Sequence, residues 1–162
     1  MVASLKRHLV VVLVAGLLSA ALAQTTLRIG LAEDPDILDP ALARTYVGRI
    51  VFASLCDKLF DITTSAAIVP QLATGYTVSD DGLTVTIDLR DDVVFHDGTR
   101  MDAEAVRYSL DRAKNLPGSN RASEIAQLES VTVVDDDTVQ LHLSQPFAPL
   151  IAQLADRPGM IV

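Results

Sequence analysis

The amino-acid sequence predicts an α+β fold, and three observations carry that prediction. Residues 75–90 (GYTVSDDGLTVTIDLR) alternate apolar and polar side chains on either side of Asp81-Gly82, and residues 131–143 do the same around Asp135, Asp136 and Asp137. Period-two alternation interrupted by a short acidic or glycine turn is the pattern of a β-hairpin with one buried face. Between these two stretches Val106, Leu110 and Ala113 recur at helical spacing.

Along the chain, residues 26–31 (TLRIGL) alternate and are rich in β-formers, which predicts a first strand. The proline-punctuated "AEDPDILDP" ends it, and Asp39-Pro40 reads as an N-cap followed by proline in the first turn of a helix. Val47, Ile50, Val51, Leu55 and Leu59 would then form the core-facing stripe of that helix. After Phe60 a loop of small residues leads to Val69-Pro70. In the first hairpin Val85, Ile87 and Leu89 share one face while Thr84, Thr86 and Asp88 share the other. Residues 93–95 read as a short strand turned by Asp97-Gly98, and Asp102 as the cap of a helix from Ala103 to about Asn115, closed by Pro117-Gly118. Arg107 and Asp111 form an i, i+4 pair on its outer face. Val139, Leu141 and Leu143 line the returning strand of the second hairpin. Residues 146–155 suggest a last short helix, and the apolar ending Ile161-Val162, without a polar closing turn, suggests a fragment.

Residues 1–23 read as a signal peptide rather than as part of the fold. Lys6, Arg7 and His8 form a basic start, residues 9–18 are almost unbroken aliphatic, and Ala21-Leu22-Ala23 places small residues where a signal peptidase reads, so the mature chain should begin at Gln24. The apolar run is shorter than the ~20 residues of a spanning helix. Removing Lys6 and Arg7 from the 13 basic residues leaves 11 against 21 acidic ones, a net charge of −10. Such a surface repels phosphate, which argues against nucleic acid as a partner. Cys56 is the only cysteine, so no intramolecular disulfide forms, and with no flanking histidine it reads as a small buried hydrophobe.

The stretch that most resembles a reactive motif is His96-Asp97-Gly98. A catalytic pair needs a third group beside it, and a metal pair needs further ligands at matching spacing. His8 leaves with the signal and His142 falls on the polar face of a strand. No HExxH, GxSxG or phosphate loop occurs. The aspartate run 135–137 lacks the spaced ligands of a calcium loop and reads as a turn. The residues thus point to a chain corner, with no catalytic residue, no metal ligand and no cofactor.

Five segments together carry a resemblance to a known family: "LDP" at 38–40, "VPQLATGY" at 69–76, "DDGLTVTIDLRDDVVFHDGT" at 80–99, "AEAVRYSLDRA" at 103–113 and "VDDDTVQLHLSQPFAPL" at 134–150. In this order they resemble the family 5 extracellular solute-binding proteins, the peptide- and nickel-type receptors of ABC importers. The resemblance implies the N-terminal part of a two-lobed periplasmic-binding-protein-like fold, with a mixed sheet, two hairpins and helices. Residues 24–59 would begin lobe one, and residues 60–162 would be its small hairpin-rich subdomain in a truncated chain. It further implies a periplasmic monomer that binds an oligopeptide, a dipeptide or a nickel-type ligand and hands it to a membrane permease. The segment after "LDP" lines the cleft in the peptide receptors, which places ligand contacts at Arg44, Thr45 and Tyr46. Met101, Asp102 and Ala105 depart from the family pattern and leave the capping box incomplete, although Asp102 still caps.

Two other functions remain open on the residues alone. One is a secreted metal-dependent hydrolase using His96, Asp97 and the aspartates 135–137, distinguished by metal-dependent turnover. The other is a small secreted interaction module, distinguished by a stable fold of the isolated chain.

Overall fold

A four-stranded antiparallel sheet with one helix packed on it organises the computed structural model, which describes residues 27–162. The expected signal peptide, its cleavage after Ala23, and Thr26 lie outside the described residues. The chain divides into a unit ending at Leu31 and a unit of residues 32–162. In the first unit residues 27–31 form no strand, contrary to expectation, and Leu27 is 83% exposed. Alternation alone does not make a strand: a ladder partner is required, and among the described residues these five have none.

In the second unit helix α1 spans Tyr46–Leu55 and starts later than expected. Asp39 instead caps a separate turn, its carboxylate accepting the Ala41 N–H at 2.9 Å and its carbonyl accepting those of Leu42 and Ala43. The expected apolar stripe is also corrected. Val47, Gly48 and Phe52 are the buried residues of α1, while Ile50 and Leu55 are exposed and Leu59 lies beyond the helix. The helix packs through its Gly48/Phe52 edge, where Phe52 meets Ala43 and Met160 with half-buried Cys56 alongside.

Strands β1 (Phe60–Ile62) and β2 (Ile68–Pro70) then pair as a small hairpin where a loop was expected. Strands β3 (Ala73–Val78) and β4 (Thr84–Leu89) form the first expected hairpin. Val85, Ile87 and Leu89 are buried as the alternation requires. Residues 93–95 supply only an isolated bridge, Val94 to Arg100, because the turn closes too soon for a ladder.

Helix α2 (Ala103–Asn115) begins at Asp102, whose carboxylate accepts the Ala105 N–H at 2.9 Å. Glu104 sits in its first turn and Arg112 and Lys114 in its last, each suited to the helix dipole there. Val106 and Leu110 are fully buried.

Strands β5 (Leu128–Asp135) and β6 (Thr138–Leu143) form the second hairpin, and β6 pairs with β4 to give the order β3-β4-β6-β5. The register aligns Val85, Leu141 and Val131 in one row and Ile87, Val139 and Val133 in the next, which together with α2 enclose the main core. Every strand pair among the described residues is antiparallel, so no parallel pair of the expected mixed sheet lies within them. The last expected helix shrinks to α3 (Leu150–Gln153), followed by a 3-10 turn at Arg157–Gly159.

Candidate functional site

The segment between the Asp39 turn and α1 carries the candidate ligand residues, and polar groups from distant parts of the chain hold it. Asp36 anchors its far end: one carboxylate oxygen accepts the Arg44 N–H at 2.9 Å and the other accepts the Thr45 hydroxyl at 3.1 Å. The Arg44 amide, more than the Thr45 hydroxyl, holds the Asp36 carboxyl below its usual range. Thr45 Oγ1 in turn accepts the Gly48 N–H at 3.1 Å and caps α1.

The near end is held by residues from the last turn of α2 onward. Arg112 donates through both terminal nitrogens to the Asp39 carboxylate, Nη1 at 3.1 Å. The Asn120 N–H donates to the Ala41 carbonyl at 2.9 Å and its side-chain amide to the Leu42 carbonyl at 2.6 Å. The Ala43 carbonyl accepts from two buried guanidinium groups, Arg157 Nη1 at 3.0 Å and Arg121 Nη2 at 3.3 Å.

These two arginines dominate the local electrostatics. Arg121 is 4% exposed and pairs with Glu124, whereas Arg157, 7% exposed, has no ion-pair partner among the described residues. The Nε atoms of both are buried without a hydrogen-bond partner. Burial first, and the neighbouring Arg121 charge second, pull the Arg157 guanidinium below its ordinary pKa, with Arg49 acting in the same sense and Asp156 and Glu124 opposing. Arg49 pairs with Asp156. With the Asp36 carboxylate against residues 44 and 45, the three guanidinium groups of Arg49, Arg121 and Arg157 meet three carboxylates, and exposed Arg44 is the cation of the segment with no ion-pair partner among the described residues.

Of the three residues expected to contact ligand, Thr45 has its hydroxyl engaged in capping, while Arg44 and Tyr46 are exposed, Tyr46 by 72%. Among the described residues neither exposed side chain makes a hydrogen bond or ion pair. Sequence reasoning missed Asp36, Arg112, Asn120, Arg121 and Arg157. Arg157 follows Asp156 in the stretch 150–162, a neighbouring pair of charges that reads as an exposed turn and so gives no sign of its burial.

The carboxyl of Asp39 is held below its usual range by the Arg112 hydrogen bonds, against partial burial. A depressed folded-state pKa contributes stability that is present above the unfolded value of about 3.9 and lost as pH falls through the folded one. Asp39→Asn is therefore expected to lower stability by about 1–2 kcal/mol at neutral pH and to flatten the acid limb below about pH 4. Urea unfolding across pH checks this, and an unaltered acid limb would remove Asp39 from the acid response.

His96 and Asp97 form a corner. The Asp97 carboxylate accepts the Thr99 N–H at 2.9 Å and its hydroxyl at 2.7 Å, contacts that hold it below its usual range. Gly98 turns at φ 89°, in the left-handed region. Asp137 pairs with Arg100, and Asp135 accepts the Asp137 N–H. No group of three His, Cys, Asp or Glu side chains placed to share a metal ion occurs among the described residues. Gly98→Val is expected to cost about 1–2 kcal/mol through backbone strain, and His96→Ala close to nothing. Thermal unfolding of both variants checks the pair, and equal melting temperatures would contradict it.

Comparison with known proteins places this geometry. The profile of the bacterial extracellular solute-binding proteins, family 5 Middle, matches residues 67–162. The glutathione-binding protein GsiB of Salmonella paratyphi A is 41% identical over 139 residues, which cover 83% of this chain and 27% of that protein. Among solved structures, the PBP AgaA of A. tumefaciens R10 in complex with agropinic acid superposes with a TM-score of 0.75 at 32% identity, covering 80% of this chain and 26% of its own. The Escherichia coli murein tripeptide binding protein MppA gives a TM-score of 0.75 at 26% identity, covering 82% and 29%. The chain spans about a quarter of the length of the curated relatives it matches. With the profile covering more than half of its residues and a relative 41% identical over 83% of it, the chain belongs to the family 5 bacterial extracellular solute-binding proteins.

Proposed function

We propose that this chain is the opening part of a periplasmic, monomeric receptor that binds a small peptide or similar carboxylate-bearing solute and delivers it to the permease of an ABC importer. Residues 24–59 begin lobe one, residues 60–162 form its hairpin-rich subdomain, and Arg44, Thr45 and Tyr46 line the binding face. Arg44 carries this reading, exposed and without an ion-pair partner among the described residues. In a chain of net charge −8, the Arg44 guanidinium favours an anionic group of the solute. Tyr46 adds an exposed ring and hydroxyl, which suit a partly apolar, hydrogen-bonding ligand. The relatives named for glutathione and murein tripeptide, and the one complexed with agropinic acid, fit a solute of this kind.

Calorimetric titration of the full-length protein with glutathione and other tripeptides, free and C-terminally amidated, tests the proposal. Saturable one-to-one binding is expected, weakened about tenfold or more by amidation or by Arg44→Met, with the peptide recovered intact. Hydrolysed peptide, or affinities indifferent to amidation across the panel, would overturn it.

A further inference from the structure

Arg112 and Asn120 stand out because neither side chain joins the cluster of positive charge, yet both are spent on the same short stretch of backbone. The stretch from Asp39 to Ala43 has no strand partner, so nothing in the sheet fixes its path. Its carbonyls at Ala41, Leu42 and Ala43 are instead taken one after another by donors from outside it. Arg112 grips the Asp39 side chain from the last turn of α2, across 73 residues of sequence. Asn120 grips two successive carbonyls from the turn that follows α2, across 78 residues to Leu42. Two parallel bonds from a planar guanidinium fix direction as well as distance, and an amide held by both its backbone and its side chain does the same. The stretch so fixed runs straight into Arg44, Thr45 and Tyr46.

We infer that Arg112 and Asn120 are positioning residues for solute recognition: by fixing the backbone of residues 39–43 against α2 they set where Arg44 and Tyr46 stand before the solute arrives. This rests on the assignment of residues 44–46 to the binding face. Pre-organisation of this kind raises affinity by removing the ordering cost at binding. Removing a grip leaves Arg44 and Tyr46 chemically intact but distributed over several placements. Asn120→Ala deletes only the side-chain bond to Leu42 and keeps the backbone bond to Ala41, so it is the milder variant where Arg112→Met unfolds the protein.

The test is a double-mutant cycle in the full-length protein with glutathione as probe, at a temperature where calorimetry shows every variant folded. Arg112→Met is expected to weaken binding about tenfold and Asn120→Ala about threefold. In the Arg44→Met/Tyr46→Ala background both losses are expected to vanish, since there is no longer a binding group to place. A purely stabilising role would not produce that cancellation, because it acts on folding and not on affinity of the folded protein. Losses that persist undiminished in the double-substituted background, or full affinity in both single variants, would overturn the inference. If Arg44→Met/Tyr46→Ala itself leaves affinity unchanged, the binding-face assignment falls, and the inference with it.

Discussion

Gly159→Ala is expected to destabilise the protein by about 3 kcal/mol or more, the largest effect of any single methyl group added to it. Gly159 is buried in the 3-10 turn Arg157–Gly159, and its backbone lies against that of Leu154. A Cβ placed there would stand 1.9 Å from the Leu154 carbonyl oxygen and 2.6 Å from its carbon. No rotamer relieves such a clash, because the obstacle is main chain. The backbone also has little room to yield: the Leu154 carbonyl accepts the Phe60 N–H at 3.4 Å and the Gly159 carbonyl accepts the Leu59 N–H at 2.9 Å. Moving the turn would therefore pull on the start of β1 and on Arg157 together. Urea unfolding of the alanine variant measures the effect, and a loss below about 1 kcal/mol would show that the turn relaxes freely.

Leu110→Ala is expected to cost about 3 kcal/mol, within the usual range of 2–5 for a fully buried leucine. Leu110 is wholly enclosed between α2 and the sheet, in the same cluster as Val106, Val131 and Leu141. The loss combines the transfer energy of the removed methyl groups with the cavity left behind, since the hairpins on one side and α2 on the other hold the walls apart. Alanine is the better helix former, which offsets only a few tenths of a kcal/mol. A midpoint shift in urea at unchanged slope is the expected signature, and a change under 1 kcal/mol would contradict the placement of α2.

How far the fold can be read from the sequence depends on how local its causes are. Helix α2 and the two long hairpins are legible because their periods, the Asp102 cap and the Asp-Gly turn lie within a few residues of one another. Strands β1 and β2 escape notice because three residues are too few for alternation to register. The start of α1 is misplaced because Asp39-Pro40 and Thr45 both satisfy capping rules, and only the Asp36 carboxylate decides between them. The family and the segment 44–46 are visible as a resemblance. The groups that hold that segment are not, since burial of Arg157 depends on a carbonyl 114 residues away in sequence.

That separation bears on the order in which the protein assembles. Each long hairpin closes over a handful of residues, a microsecond event, while the bonds from Arg112, Asn120 and Arg157 to residues 39–43 close loops of 73 to 114 residues and gain nothing until both ends are in place. The hairpins and α2 should thus be in place before the 39–46 segment settles, and the same segment should be the first to come loose. In pulse-labelling hydrogen exchange, the amides of Ile87 and Leu141 are expected to gain protection ahead of that of Asn120, which donates to the Ala41 carbonyl, and simultaneous protection would refute this order. On the proposed assignment of residues 44–46, the framework is complete before the binding face takes shape, so a solute present during refolding would act on the final step alone.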